Sequence, residues 1–215
     1  VITADKGLAG MYNQHVLKEA EKMLAEHPDT KLFVVGEYGR QYFSRHGIPI
    51  ERSFLYTAQN PTMQRAREIS ELLLELFEAG SVQKIFVIYT DMMNGMTEVA
   101  KTERLLPFHR KVFASGMNEK QVKTPFEFTP SVGEVLDNII PSYVSGYIYS
   151  ALVDSFCSEQ NARMSAMSAA GQNADKILSS LSLEYNRLRQ AAITQEMTEI
   201  SSGAKAQKHK ISIDR

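Results

Sequence analysis

A single cysteine, Cys157, occurs in 215 residues, which excludes an internal disulfide framework and fits a reducing compartment. Charge of one sign is also lacking. Lys and Arg total 24 against 25 Asp and Glu, a net charge of −1, so no strong field draws the molecule to nucleic acid or to a charged membrane surface. No apolar run approaches the ~20 residues that span a bilayer, and no signal-peptide pattern is present. His15, His27, His46, His109 and His209 are scattered, with no Cys or His at ligand spacing, so no metal site is expected. There is no G-x-S-x-G, no G-x-G-x-x-G and no P-loop. Catalytic residues and cofactors are therefore not expected. Apolar content of 43% with 23% charged residues still supports a globular domain with an extension.

What is present alternates. Val1–Thr3 reads as a strand end, and Asp5 to Gly10 as a turn. The chain opens on Val1 rather than Met, in what reads as mid-strand, and is expected to be a fragment whose true N-terminus lies upstream. A helix is predicted from Tyr12 to His27, with Val16, Leu17, Ala20, Met23 and Leu24 on one face. Strands are predicted at Lys31–Val35, Ile50–Leu55 and Lys84–Thr90, and helices at Glu37–His46 and Thr62–Ala79. Asn94-Gly95 signals a turn, and Thr97–Leu106 suits an antiparallel strand. Residues 114–124 are polar, and Phe126–Phe128 reads as a last edge strand. The fold class is α/β, a mostly parallel Rossmann-like sheet with flanking helices over residues 1–130. Asp91, at the end of the strongest strand, has no evident partner, and a capping or turn role is expected. Gly7 and Gly10 sit where α/β proteins hold phosphate, but a tight strand-to-helix turn is the plainer reading.

From Ser131 the chain reads as helix, and residues 131–203 are expected to form a rod. Ser131 with Glu134 suits a capping box, and Pro141 is expected to end or kink the first helix. Between Ser142 and Ser202 no proline occurs, and only Gly146 and Gly171 interrupt. About sixty residues give a rod of roughly 90 Å, against a radius of gyration of about 14 Å for the preceding domain. Val144, Ile148, Leu152 and Phe156, with Tyr147 and Val153, make a wide apolar face that can lie on the sheet. Cys157 reads as a structural thiol among apolar and small neighbours. Further on, Met164, Met167, Gly171, Ala174, Leu178, Leu181, Tyr185, Leu188, Ala192 and Gln195 alternate by three and four, a heptad seam with no partner helix in residues 1–130. The partner is expected to be another chain or a segment outside these residues. The helix is expected to leave the domain near residues 157–164, and 204–215 to be a disordered tail.

The segment Arg189-Gln190-Ala191-Ala192-Ile193-Thr194-Gln195-Glu196-Met197-Thr198-Glu199-Ile200 resembles the C-terminal signature of the gamma-subunit family of F-type ATP synthases. So do Glu159-Gln160-Asn161-Ala162-Arg163-Met164, the opening Ile2-Thr3-Ala4-Asp5-Lys6-Gly7-Leu8-Ala9-Gly10, Glu103-Arg104-Leu105-Leu106-Pro107, and Glu134 to Pro141. The resemblance covers nearly the whole chain. It implies an α/β domain with a long helix at each end of the chain, paired as an antiparallel coiled coil. The seam's partner would then be the N-terminal helix of the same polypeptide, with self-pairing or domain swapping as the outcome in its absence. The resemblance also implies a non-catalytic central-stalk rotor that couples proton-driven rotation to ATP synthesis and hydrolysis in the ring of alpha and beta subunits. Further partners would be the epsilon subunit and the membrane c-ring, on the cytoplasmic face of a bacterial cell membrane. Arg163, Arg189, Gln190, Thr194 and Glu199 match the family's polar shaft contacts to the beta subunits. Replacing Arg163 or Gln190 is expected to leave the domain folded. A regulatory cysteine pair, found in plastid members, is absent. The competing function is a nucleotide-binding α/β enzyme with a helical oligomerisation arm.

Overall fold

The computed structural model describes residues 1–93, 97–108, 129 and 131–213. Its elements are α1 (Tyr12–Glu26), β1 (Phe33–Val35), α2 (Glu37–Arg45), β2 (Arg52–Phe54), α3 (Met63–Glu78), β3 (Ile85–Met93), β4 (Thr97–Leu106) and α4 (Val132–Ile213). The alternation expected from the hydrophobic periods is present. The turn expected at Asn94-Gly95, the polar stretch 114–124 and the strand expected at Phe126–Phe128 lie outside the described residues.

β1 and β2 pair in parallel, and β3 and β4 pair antiparallel. Val1–Thr3 joins the two ladders. Ile2 bridges Val35 in parallel, the Thr3 N–H donates to the Val35 carbonyl (2.9 Å), and the Ile2 N–H donates to the Ile88 carbonyl (2.9 Å). Three residues thus sit between β1 and β3 and make one sheet of two ladders.

β3 shows why both faces are covered. Ile85, Val87 and Tyr89 point to one side and join Ala66, Ile69 and Leu74 of α3 with Val144, Ile148, Ala151 and Leu152 of α4. Ile88 points to the other and joins Val16, Leu17 and Ala20 of α1 with Phe43 of α2. This period-two division yields helices on both faces of the sheet. The Thr62 side chain caps α3 by accepting from the Arg65 N–H at 3.3 Å.

Two expectations bear on the last helix. Of the two outcomes expected at Pro141, an end does not occur, because α4 runs through that residue. Proline removes the donor to the Asp137 carbonyl, but Ile140 and Tyr143 on either side pack on the core and hold the helix through that position. Nor does the helix stop at 203. It continues to Ile213, and after Gly203 the sequence supplies Ala, Lys and Gln, all good helix formers, with no proline. At its start, the Glu134 N–H donates to Ser131 Oγ (3.2 Å). The contacts divide the chain into Val1–Ala166 and Met167–Arg215, so α4 as far as Ala166 belongs with the sheet.

Gly36 has a strict requirement. Its φ is +96°, and a Cβ there would lie 2.2 Å from the Thr3 carbonyl oxygen and 2.8 Å from that of Ala4. Both are backbone atoms of the joining segment and cannot swing away. Gly36→Ala is expected to destabilise the α/β unit by about 3 kcal/mol or more, from left-handed strain plus the clash. Denaturant unfolding followed by circular dichroism measures this, and a loss under about 1 kcal/mol would contradict it.

Candidate functional site

The turn after Val1–Thr3 occupies the position where α/β sheets hold ligands. Here its groups are used internally. Asp5 Oδ1 accepts from the Glu37 N–H (3.0 Å) and the Tyr56 N–H (3.4 Å). Asn13 Oδ1 accepts from the Ala4 N–H (2.9 Å), and Thr3 Oγ1 donates to the Val35 carbonyl (2.8 Å) while accepting from the Gly39 N–H (3.0 Å). The Gly7 carbonyl accepts from Arg163 Nη2 of α4 at 3.3 Å. A ring of backbone donors turned toward an anion is not what these bonds describe. The turn fastens α2, the β2 exit and α4 together.

Arg163 is therefore more than an outward charge. Its Nη2 also lies 2.6 Å from Glu159 Oε1, and its Nη1 donates to Gln160 Oε1 at 3.1 Å. Glu159 is 3% exposed. A buried carboxylate needs its cation, so Arg163→Glu would place two carboxylates together and undo this corner, against the expectation of an intact fold. The i,i+4 spacing of Glu159 and Arg163 was the sequence signal for the pair; the burial came only with the fold.

Arg189, Gln190, Thr194 and Glu199 lie in Met167–Arg215 and are exposed. Their bonds are local to the helix. Thr194 Oγ1 donates to the Gln190 carbonyl (2.8 Å), and Gln195 Nε2 donates to Glu199 Oε1 (3.0 Å). The seam residues Met164, Met167, Gly171, Ala174, Leu178, Leu181, Tyr185, Leu188, Ala192 and Gln195 are exposed without exception, Leu178 at 62% and Tyr185 at 66%. Ile177, Leu183, Ile193, Met197 and Ile200, which the seam does not include, are exposed as well.

Two smaller expectations change. Asp91 has a partner, since Lys101 of β4 forms an ion pair with it. Asp91 stands opposite Val99, so Lys101 is its diagonal neighbour, a cross-strand relation that a turn or cap reading overlooks. Cys157 is exposed rather than embedded among apolar residues. Among the described residues no group of three His, Cys, Asp or Glu could hold a metal, and no helix is long and apolar enough to cross a membrane.

Burial pushes the Glu159 carboxyl above the usual carboxylate range, while the Arg163 hydrogen bond and charge pull it back. Folding thus favours the protonated form. The associated stability is present below the ordinary glutamate range and is lost as pH rises through the raised value. NMR titration is expected to find Glu159 raised, and Arg163→Gln is expected to raise it further. An ordinary value in both proteins would contradict the burial.

The ATP synthase family model matches residues 1–207. The ATP synthase gamma chain of Caldanaerobacter subterraneus is 43% identical over 212 residues, covering 95% of this chain and 71% of that one. Among solved structures, the central stalk and c-ring of the Tetrahymena thermophila mitochondrial ATP synthase is similar, with a TM-score of 0.62 and 28% identity over 79% of this chain and 74% of that one. The Euglena gracilis mitochondrial ATP synthase, in a structure of OSCP, F1 and c-ring, shares the fold with a TM-score of 0.70 at 16% identity over 95% of this chain and 70% of that one. With a matched family model along almost its full length and a curated relative this similar, the chain belongs to the ATP synthase gamma-chain family.

Proposed function

We propose that the chain is the torque-transmitting rotor of an ATP synthase central stalk, coupling ion-driven rotation to ATP synthesis and hydrolysis while performing no chemistry itself. The observation that carries this reading is the helix after Ala166. Through Lys205 every residue is exposed, yet an apolar heptad seam runs along it. A helix with such a seam is marginal alone and expects a partner along its length. In this reading the partner is the N-terminal helix of the same polypeptide. The polar positions Arg189, Gln190, Thr194 and Glu199, with Arg163, meet loops of the beta subunits within the alpha–beta ring. The epsilon subunit and the c-ring meet the sheet unit, and the whole sits peripherally on the cytoplasmic face of a bacterial membrane.

Polar, exposed contacts suit a rotor because they break and re-form at low cost. Exposed ion pairs and hydrogen bonds are worth about 0–1 kcal/mol each, whereas burying a leucine-sized side chain adds about 1.5–3 kcal/mol. A rotor held by the second kind would stall at one angle. The nucleotide-enzyme reading has less support, because donors a phosphate would need, the Ala4, Glu37 and Tyr56 amides and the Arg163 guanidinium, are already given to Asn13, Asp5, Glu159 and the Gly7 carbonyl.

The test is reconstitution with alpha and beta subunits, with the N-terminal helix supplied. The chain is expected to restore coupled ATP hydrolysis, and Gln190→Leu to weaken coupling or assembly without changing the unfolding midpoint of the sheet unit. Parental rates of synthesis and ATP-driven rotation for Gln190→Leu would remove it from the contact set. Calorimetric titration with ATP and NAD is expected to give no binding heat, and tight binding at the Asp5–Gly10 turn would favour the enzyme instead.

A further inference from the structure

The buried face of α4 is more polar than packing alone requires. Ser145, Ser155, Ser158 and Glu159 are buried there beside Val144, Ile148, Ala151 and Leu152. Two of these four, Ser145 and Ser155, reach other elements, Glu159 pairs with Arg163 of the same helix, and less buried residues of α4 add further bonds. Ser145 Oγ and Ser70 Oγ of α3 are 2.6 Å apart, and the Tyr147 hydroxyl donates to Glu103 of β4. The Thr90 N–H of β3 donates to Ser155 Oγ (3.4 Å). Asn161 Nδ2 donates to Glu98 Oε1 of β4 (3.0 Å), and Arg163 Nη2 to the Gly7 carbonyl (3.3 Å).

The arrangement is ordered. At 100° per residue, Ser145 and Arg163 fall about 75° to one side of the apolar stripe, and Tyr147 and Asn161 about 85° and 125° to the other. Ser155 lies on the stripe itself. One flank is held by α3 and the Gly7 turn, and the other by β4. The contacts also come in two groups, Ser145 with Tyr147 and Asn161 with Arg163, about 24 Å apart along the helix. Each group grips both flanks.

We propose that these two-sided clamps are a torque-bearing joint, fixing α4 in rotation and axial register against the sheet. The inference rests on the rotor reading and names the residues that carry its load. Apolar contact is non-directional, so the stripe of Val, Ile, Ala and Leu holds α4 on the sheet without by itself selecting one fine angle and register. Hydrogen bonds are directional, and a buried group that loses its partner costs about 1–3 kcal/mol. A slip of one residue turns the helix by about 100° and shifts it by about 1.5 Å, which breaks all the clamp contacts together. Rotation in either sense is opposed, because each clamp holds both flanks. Ser145, Tyr147 and Asn161 are positioning residues in this account. None is required for the apolar core to form.

The test uses ATP synthase assembled with this chain and embedded in vesicles. The triple variant Ser145→Ala, Tyr147→Phe, Asn161→Ala is expected to assemble and to hydrolyse ATP at the parental rate without load. Against an opposing ion gradient, ions pumped per ATP are expected to fall at least about two-fold, with the three losses acting together rather than additively. A separate pair, Ser70→Cys with Ser145→Cys, places a thiol at each end of the buried serine contact. Oxidising that pair in the variant carrying Tyr147→Phe and Asn161→Ala is expected to restore loaded pumping, and reduction to abolish the rescue. Parental pumping under load by the triple variant would overturn the joint. If the triple variant does not assemble, the oxidised cysteine pair in the otherwise parental chain decides. Undiminished loaded pumping supports a joint that never moves, and loss of pumping on oxidation overturns it. Failure of the parental chain to support coupled hydrolysis at all would instead reject the rotor reading.

Discussion

Val144, Ile148, Ala151 and Leu152 pack beneath Ile85, Val87 and Tyr89, and without them one face of the sheet would be covered by α3 alone. Three of the four are side chains whose full burial is worth about 1.5–3 kcal/mol each. The sheet unit therefore cannot be separated from the first part of α4. The same constraint explains why Pro141 is tolerated. A helix that supplies half of a core is held by tertiary packing, and the loss of one backbone bond does not release it. It also explains the tight Gly36 corner. Val1–Thr3 must lie close against β1 to bring Ile2 and Val35 into the core that α4 closes, and only glycine fits where Thr3 and Ala4 pass.

Much of this was legible in the residues. The apolar run Ile85 to Tyr89 and the alternation of Thr97 to Leu106 named a strand pair, and the pair is there in antiparallel register. Val16, Leu17 and Ala20 identified the buried side of α1. These features are local, and local periodicity reports them directly. The failures are of another kind. Asp91 was read without Lys101 because the pair is diagonal across two strands, and its register cannot be counted along one of them. That the helix does not end at Pro141 is not legible either, because propensity knows nothing of the core beneath it. Cys157 was placed among apolar neighbours in sequence, whereas the face of the helix it occupies is the exposed one. The spacing alone does not identify Arg163 as the partner of a buried Glu159, since burial belongs to the fold rather than to the spacing.

Glu159 and Arg163 show how one corner can serve two demands. The carboxylate is nearly inaccessible, and its ionised form would be costly there without the guanidinium. The guanidinium in turn reaches the Gly7 carbonyl, in a turn whose neighbouring Asp5 holds the start of α2 and the β2 exit. Four separate stretches of the chain meet through one buried charge and its partner. A hydrophobic replacement could fill the space, but it would not specify which rotation of α4 faces the turn. Directional bonds do so.

Beyond Ala166 the physical problem inverts. Leu178, Leu181, Tyr185 and Leu188 are exposed on a helix that buries none of its described residues. Propensity alone holds such a helix marginally, and its seam is an apolar surface of the kind that monomeric proteins seldom leave open. In the proposed pairing, Gly171 and Ala174 would set how closely a second helix can approach near the start of the seam, and Leu178 to Leu188 would supply the knobs that fix its register further on. Close approach demands small residues and register demands large ones, so the two requirements are met at different points along the seam. The polar positions Arg189, Gln190, Thr194 and Glu199 occur where the large seam residues give way to Ala192 and Gln195. In the proposed rotor, partners that must be released would meet this end of the helix, and a partner that must stay would be gripped before it.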